Sequence, residues 1–284
     1  MSGGITQTIV IDERLESYRT FFDHAWAENI GKLAAGTKLE SPVFNLRMNW
    51  KAAANTCVVP WLICTTVSGF SAGFAMGREP FAVEMINACA KRIPDEMPSL
   101  SNMRRKELGT AVKKIGTELQ DLLAQQAQER GVDANEMWAA LLGGEARAEF
   151  RLSIWGSQRI SYGAIYHTYE DFVRECIGLA MGTATYRPRG GTRRLVTDAG
   201  QHFGSQIAGD CLNAVEVKIA RLVRNSLAHN GGKETDELKK VKHGILVEGD
   251  VLQIMAPDTR RLFHLLKERT YKLVEKAITL PSMK

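Results

Sequence analysis

Arg224, Asn225, His229 and Asn230 are the residues whose types and spacing best suit them to chemistry, and Gly231 and Gly232 follow at once. An arginine carries a permanent planar charge that grips two oxygens of an anion. A histidine, with an ordinary pKa of about 6.5, gives or takes a proton near neutral pH. Asn225 adds a neutral donor and acceptor beside the arginine. The set suits acid–base chemistry on an anion. The pattern R-x4-H is weak by itself, because Arg19 and His24 repeat it in an amphipathic stretch with no other polar feature. The second copy differs in having Asn225 beside it and two glycines that end its helix.

The element that must position this set is a helix expected over 210–228. Val215, Ile219, Leu222 and Val223 recur at three- and four-residue steps and give it an apolar face. Five residues along an ideal helix turn through about 140°. Arg224 and His229 therefore share a face only if the helix unwinds at its glycine end, or a second chain brings another motif to meet it.

Around this helix, periodicity predicts others over 12–32, 79–91 and 104–130, the last with Leu108, Val112, Ile115, Leu119 and Leu122 as its apolar stripe. Gly131 stops that helix, and Asp133 with Glu136 forms a capping box for a short one after it. Pro94 and Pro98 mark the firmest break in the N-terminal half. A long periodic helix is expected over 157–181, then a basic loop over 186–194 and a short connecting helix over 197–208. A charged linker over 233–240 leads to a hairpin over 244–254, turning at Glu248-Gly249-Asp250. Asp258 caps a closing helix that reaches 278. The chain thus reads as mainly α with one small β-hairpin. It divides into an N-terminal helical region over 1–98, connecting helices over 99–150, and a helical bundle over 151–284.

Composition bounds the class. The 284 residues are 44% hydrophobic and 24% charged, ordinary for a folded chain. A formal net charge of +5 permits a polyanionic partner without demanding one. Five scattered cysteines with no C-x-x-C pair argue against zinc fingers and a disulfide framework, and fit a reducing cytoplasm. The N-terminus lacks a basic region followed by an apolar core, so no secretion signal is expected. The stretch between Lys51 and Arg78 carries no charge and is long enough to span a bilayer. Its Asn55, Pro60, Thr65, Thr66 and glycines favour a buried helix interrupted near Pro60 over a membrane span. No Walker loop and no G-x-G-x-x-G occurs, and His167, His202, His243 and His264 lack ligand spacing, so no metal and no cofactor is expected.

Arg224-Asn225-Ser226-Leu227-Ala228-His229 resembles the R-N-x-x-x-H motif of HEPN domains, four- or five-helix bundles found in many prokaryotic ribonucleases, toxins and phage-defence proteins. Tyr169-Glu170-Asp171-Phe172 is similar to the Tyr/Phe-Glu-x-Phe core of a neighbouring helix in that family, and His229-Asn230-Gly231-Gly232 to its His-Asn-x-Gly helix end. The hairpin and closing helix extend the resemblance, which covers about 157–278 and leaves 1–150 unexplained.

The resemblance implies an HEPN-like antiparallel bundle and cleavage of RNA without metal. A base takes the 2′-OH proton, a cation steadies charge on the phosphorane, and an acid protonates the leaving 5′-oxygen. Products are a 2′,3′-cyclic phosphate and a 5′-hydroxyl. Arg224 and His229 are the expected catalytic pair, and Asn225 orients the histidine or bonds the phosphate. Asn230 supports the helix end. Glu170 lies where related proteins place an acid near the motif; the alternative is a solvated helix glutamate. A homodimer with one composite site follows from the same resemblance, and a toxin-like role calls for a regulatory or antitoxin partner. Lys218, Arg221, Arg187, Arg189, Arg193 and Arg194 form either a track for an RNA backbone or an ordinary solvated basic face. The rival readings are a non-catalytic HEPN module that binds RNA or a protein, and a membrane-associated effector.

Overall fold

The computed structural model describes residues 21–59, 79–95, 97, 100–127, 148–183, 185–188 and 190–284. In chain order its helices are α1 (His24–Ala34), α2 (Glu40–Cys57), α3 (Glu79–Asp95), α4 (Asn102–Ala127), α5 (Ala148–Ala180), α6 (Gly191–Phe203) and α7 (Ser205–Ala208). A π-turn (Gly209–Asn213) then leads into α8 (Val215–His229) and the short α9 (Asp236–Lys239). Strands β1 (Leu246–Glu248) and β2 (Val251–Gln253) pair antiparallel, and α10 (Ala256–Ala277) and a 3₁₀ turn (Pro281–Met283) follow. The fold is mainly α with one small hairpin, as the sequence periodicity implies.

Helix α5 is the axle. Tyr162, Ile165, Tyr166, Tyr169, Phe172, Val173 and Cys176 are all buried and form one apolar stripe, about 120° wide at about 100° per residue. Helix α2 lays Val43, Leu46, Trp50, Ala53, Ala54 and Cys57 into the same core. Trp50 stacks on Trp26 of α1 at 5.4 Å, meets Phe263 of α10 edge-on at 5.4 Å, and donates its indole N–H to Ile165 O at 2.9 Å. Gln158 donates to Cys57 O at 2.8 Å, tying α5 to the end of α2. One core therefore runs across the divisions expected at 98 and 150. Helices α3 and α4 pack side by side: a methyl group at Gly109 would lie 2.8 Å from Ala90 O. That carbonyl has no donor four residues on, because Pro94 lacks an N–H, and Gly109 is small enough to approach it.

Several boundaries differ from expectation for local reasons. The described part of the 12–32 helix begins at His24, because Asp23 Oδ1 accepts from Trp26 N at 2.9 Å and caps the helix there. Residues 12–20, the capping box at 133–136 and most of the uncharged stretch, 60–78, lie outside the described residues. Helix α2 takes the first part of that stretch, and Ala52, Ala53 and Ala54 are buried. Helix α3 runs past Pro94, which sits in its last turn. The 197–208 segment is two helices broken at Gly204, whose φ of 96° suits glycine alone. The 210–228 helix starts instead at Val215, after the π-turn. The linker after it holds α9, capped by Thr235. Asp258 caps α10 from its third position, accepting from Met255 N at 2.8 Å, and is not the N-cap. Among the described residues, no helix is long and apolar enough to cross a membrane.

Candidate functional site

Both ends of α8 are fixed by backbone contacts. At its start, the π-turn offers Cys211 O to the buried Tyr169 hydroxyl of α5 at 2.7 Å. Val217, Ala220 and Val223 are buried and hold the helix against the core. At its end, Asn230 N and Gly232 N both donate to Ser226 O at 3.0 Å. The buried Ser226 hydroxyl donates to Lys233 O. Positive φ at Gly231 (63°) and Gly232 (84°) lets the chain reverse there. It then pairs with the hairpin: Leu252 N donates to Gly232 O at 2.9 Å and Glu234 N to Asp250 O at 2.8 Å. The hairpin thus clamps the helix end. Its own turn uses Gly249 (φ 54°) and Asp250 (φ 69°), the twist that a two-residue hairpin needs.

The helix stays regular through His229, so of the two ways to bring the motif together, unwinding of this helix end does not occur. Arg224 faces α5. Its guanidinium pairs with Glu170, lies 5.4 Å from the Tyr166 ring centre, and is mostly buried. Glu170 is only 6% exposed and also meets Arg174 at 3.1 Å, which in turn meets Asp171 at 2.9 Å. Burial, and then the negative charge of Glu170, hold the Tyr166 phenol well above its ordinary range. His229 is exposed at the last turn. Asn225 is half-buried, on the same side of α8 as Lys218 and Leu222 by helical rotation. Asn230 is the C-cap residue and is exposed.

Arg224 and His229 nevertheless line one groove of about 960 Å³ between α4, α5 and α8. The contacts Glu170–Arg224 and Arg159–Gly232 show that α5 and α8 run antiparallel along it. Its rim carries Arg104, Lys106 and Lys114 from α4 and Arg159 from α5. Glu107 is the one carboxylate among the described lining residues, and Arg104 meets it at 3.1 Å. Arg159 donates to Leu252 O at 3.1 Å and lies against the Gly232 backbone, so it braces the helix end as well as lining the groove. Burial pulls the Arg159 pKa below its usual value. Cations outnumber carboxylates along the rim of the groove, so it favours an anion.

The basic residues expected to form a track are not the ones gathered here. Lys218 and Arg221 are half-buried on α8, and Arg187 lines a separate cleft beside Lys38 and Pro42. Arg193 and Arg194 lie on α6, where Arg194 pairs with Asp198 at 2.9 Å. Arg189 lies outside the described residues. The α4 cations and Arg159 were hidden in the sequence, because a polar helix face reads the same whether it meets solvent or a groove. His167, which lacks ligand spacing, also lines the groove and meets Asp171 at 3.1 Å. His24, from the other R-x4-H, packs its ring 5.0 Å from that of Phe22. Gly69-Phe70-Ser71-Ala72-Gly73 fits G-x-S-x-G but lies outside the described residues, in a chain whose described part lacks the strand–turn–helix setting of that motif. Among the described residues, no three His, Cys, Asp or Glu side chains cluster as metal ligands.

Comparisons of the chain with protein-family models, with curated proteins and with solved structures return no match.

Proposed function

We propose that the chain is a metal-independent endoribonuclease of the HEPN type, acting in toxin-like or antiphage RNA cleavage. The observation that carries this is that Arg224 and His229, separated by helical rotation, line the same cation-rimmed groove. His229 takes the 2′-OH proton, the 2′-oxygen bonds to phosphorus, the bond from phosphorus to the 5′-oxygen breaks, and that oxygen is protonated. A 2′,3′-cyclic phosphate and a 5′-hydroxyl remain. In the homodimer that the resemblance implies, one His229 from each protomer supplies the base and the acid. Arg224 stabilises the crowded phosphate oxygens, with Glu170 fixing its position and Asn225 orienting the histidine. Mapping the ends of a defined RNA after incubation with purified protein in EDTA tests this: cyclic-phosphate ends are expected, and intact RNA argues against it.

One observation favours a second reading, a non-catalytic module that binds RNA or a protein. Glu170 already neutralises Arg224, as a purely structural pair would. In that case the parent leaves RNA intact, and Arg224→Ala weakens the fold without changing any cleavage rate.

A further inference from the structure

We propose that the groove between α4 and α8 takes an unpaired RNA strand, its bases lying over a floor that two glycines of α5 hold open. The inference rests on reading Arg224 and His229 as an RNA site, and it gives α4 a role in substrate binding within the same chain. Gly156, Ile160, Gly163 and His167 form one stripe of α5 at three- and four-residue steps, and all four line the groove. A Cβ built at Gly156 or Gly163 meets no described atom within 4 Å. The contrast is with Gly109 and Gly116 of α4, where an added Cβ would strike Ala90 O at 2.8 Å or Ile86 at 2.4 Å. Close packing explains the α4 glycines. It does not explain Gly156 and Gly163, which weaken a helix interior with no described neighbour to accommodate.

What these glycines do is leave the floor low. Ile160, Ala164 and Leu227 make the surface around them apolar, suited to the flat faces of bases. Arg104, Lys106 and Lys114 stand along the α4 side, placed for phosphates. About 960 Å³ is the size of a pocket that engulfs a small ligand, roughly 300–1,000 Å³. It has room for a few splayed nucleotides, whereas an A-form duplex keeps its bases stacked inside, away from an apolar floor.

The test is binding of a fluorescein-labelled unpaired RNA, roughly a dozen nucleotides long, read by anisotropy in the His229→Ala protein so that no cleavage intervenes. A duplex of the same length is the comparison. Gly163→Leu is expected to weaken binding at least tenfold while melting at or above the temperature of its parent, since leucine favours the helix. Gly163→Ala, which leaves room, is expected to bind within about twofold of its parent. The variant carrying Arg104→Gln, Lys106→Gln and Lys114→Gln is expected to lower the slope of log affinity against log salt by about 2, at roughly 0.7 per phosphate contact. Parent-like binding by a folded Gly163→Leu protein, an unchanged salt slope, or duplex binding as tight as single-strand binding would overturn the proposal. A parent that cleaves RNA while Gly163→Leu cleaves equally well sinks the groove alone. A strand that binds as described, with no cleavage by the parent, sinks the nuclease reading alone.

Discussion

At the scale of single residues, the two side chains proposed to be catalytic stand under opposite conditions. Arg224 is packed against Tyr166 and paired with Glu170, whereas His229 is exposed at the helix end. Their variants should behave differently. His229→Ala is expected to abolish cleavage while changing stability by no more than about 0.5 kcal/mol, as for most exposed positions. Glu170→Gln removes the carboxylate that Arg224 and Arg174 share. Arg224 is then left without its acid, while Arg174 keeps Asp171, and urea denaturation should show a loss of about 2–4 kcal/mol. Adding Arg224→Met to Glu170→Gln should recover part of that loss, because the charge left unpaired by the first change is gone. A double variant less stable than the single one would show that Arg224 is held mainly by packing.

At the scale of elements, the helix end is built by its surroundings. Gly232 combines a φ of 84° with an Arg159 guanidinium 3.2 Å from where a Cβ would stand. Gly232→Ala is therefore expected to cost about 1–2 kcal/mol and to reduce cleavage by moving Arg159 and the hairpin clamp. Thermal melting and initial rates on one RNA check both effects. Asp23 offers a pH test at α1. The hydrogen bond from Lys267, followed by that from the Trp26 N–H, holds its carboxyl below the usual range. A lowered folded pKa means that its contribution is complete above the unfolded value, about pH 4, and is lost as pH falls through the folded one. Asp23→Ala should cost about 1 kcal/mol at pH 7, most of it from the lost cap, and the gap to the parent should shrink at pH 3. Equal gaps at both pH values would contradict that assignment.

These elements also show what was legible in the sequence. The α8 stripe, the Gly249-Asp250 turn and the long α5 declare themselves because periodicity and turn chemistry are local. Helix α2 was missed although Val43, Leu46, Trp50, Ala53 and Cys57 are spaced for a helix. The change from charged to uncharged composition after Lys51 falls within it, so its second half reads as part of the uncharged stretch. The α4 wall of the groove could not be read at all, because which polar face meets a cavity depends on tertiary packing.

At the scale of the whole molecule, the core does not stop at the bounds of 157–278, the part proposed to be HEPN-like. Trp26 and Trp50 join Phe263 and Ile165, and Lys38 N donates to Met283 O at 2.9 Å. A fragment spanning 148–284 alone would expose this apolar surface. It is expected to lack a cooperative unfolding transition, and a sharp melt by circular dichroism would show that the C-terminal part folds by itself. The N-terminal helices are then part of the fold that presents the motif. The most direct measurement of the function is the rate of RNA cleavage in EDTA by the parent and by His229→Ala, with both proteins shown to be equally folded. Cleavage by the parent to 2′,3′-cyclic phosphate ends, and none by His229→Ala, is the result expected. Equal rates, or no cleavage by the parent, contradict it.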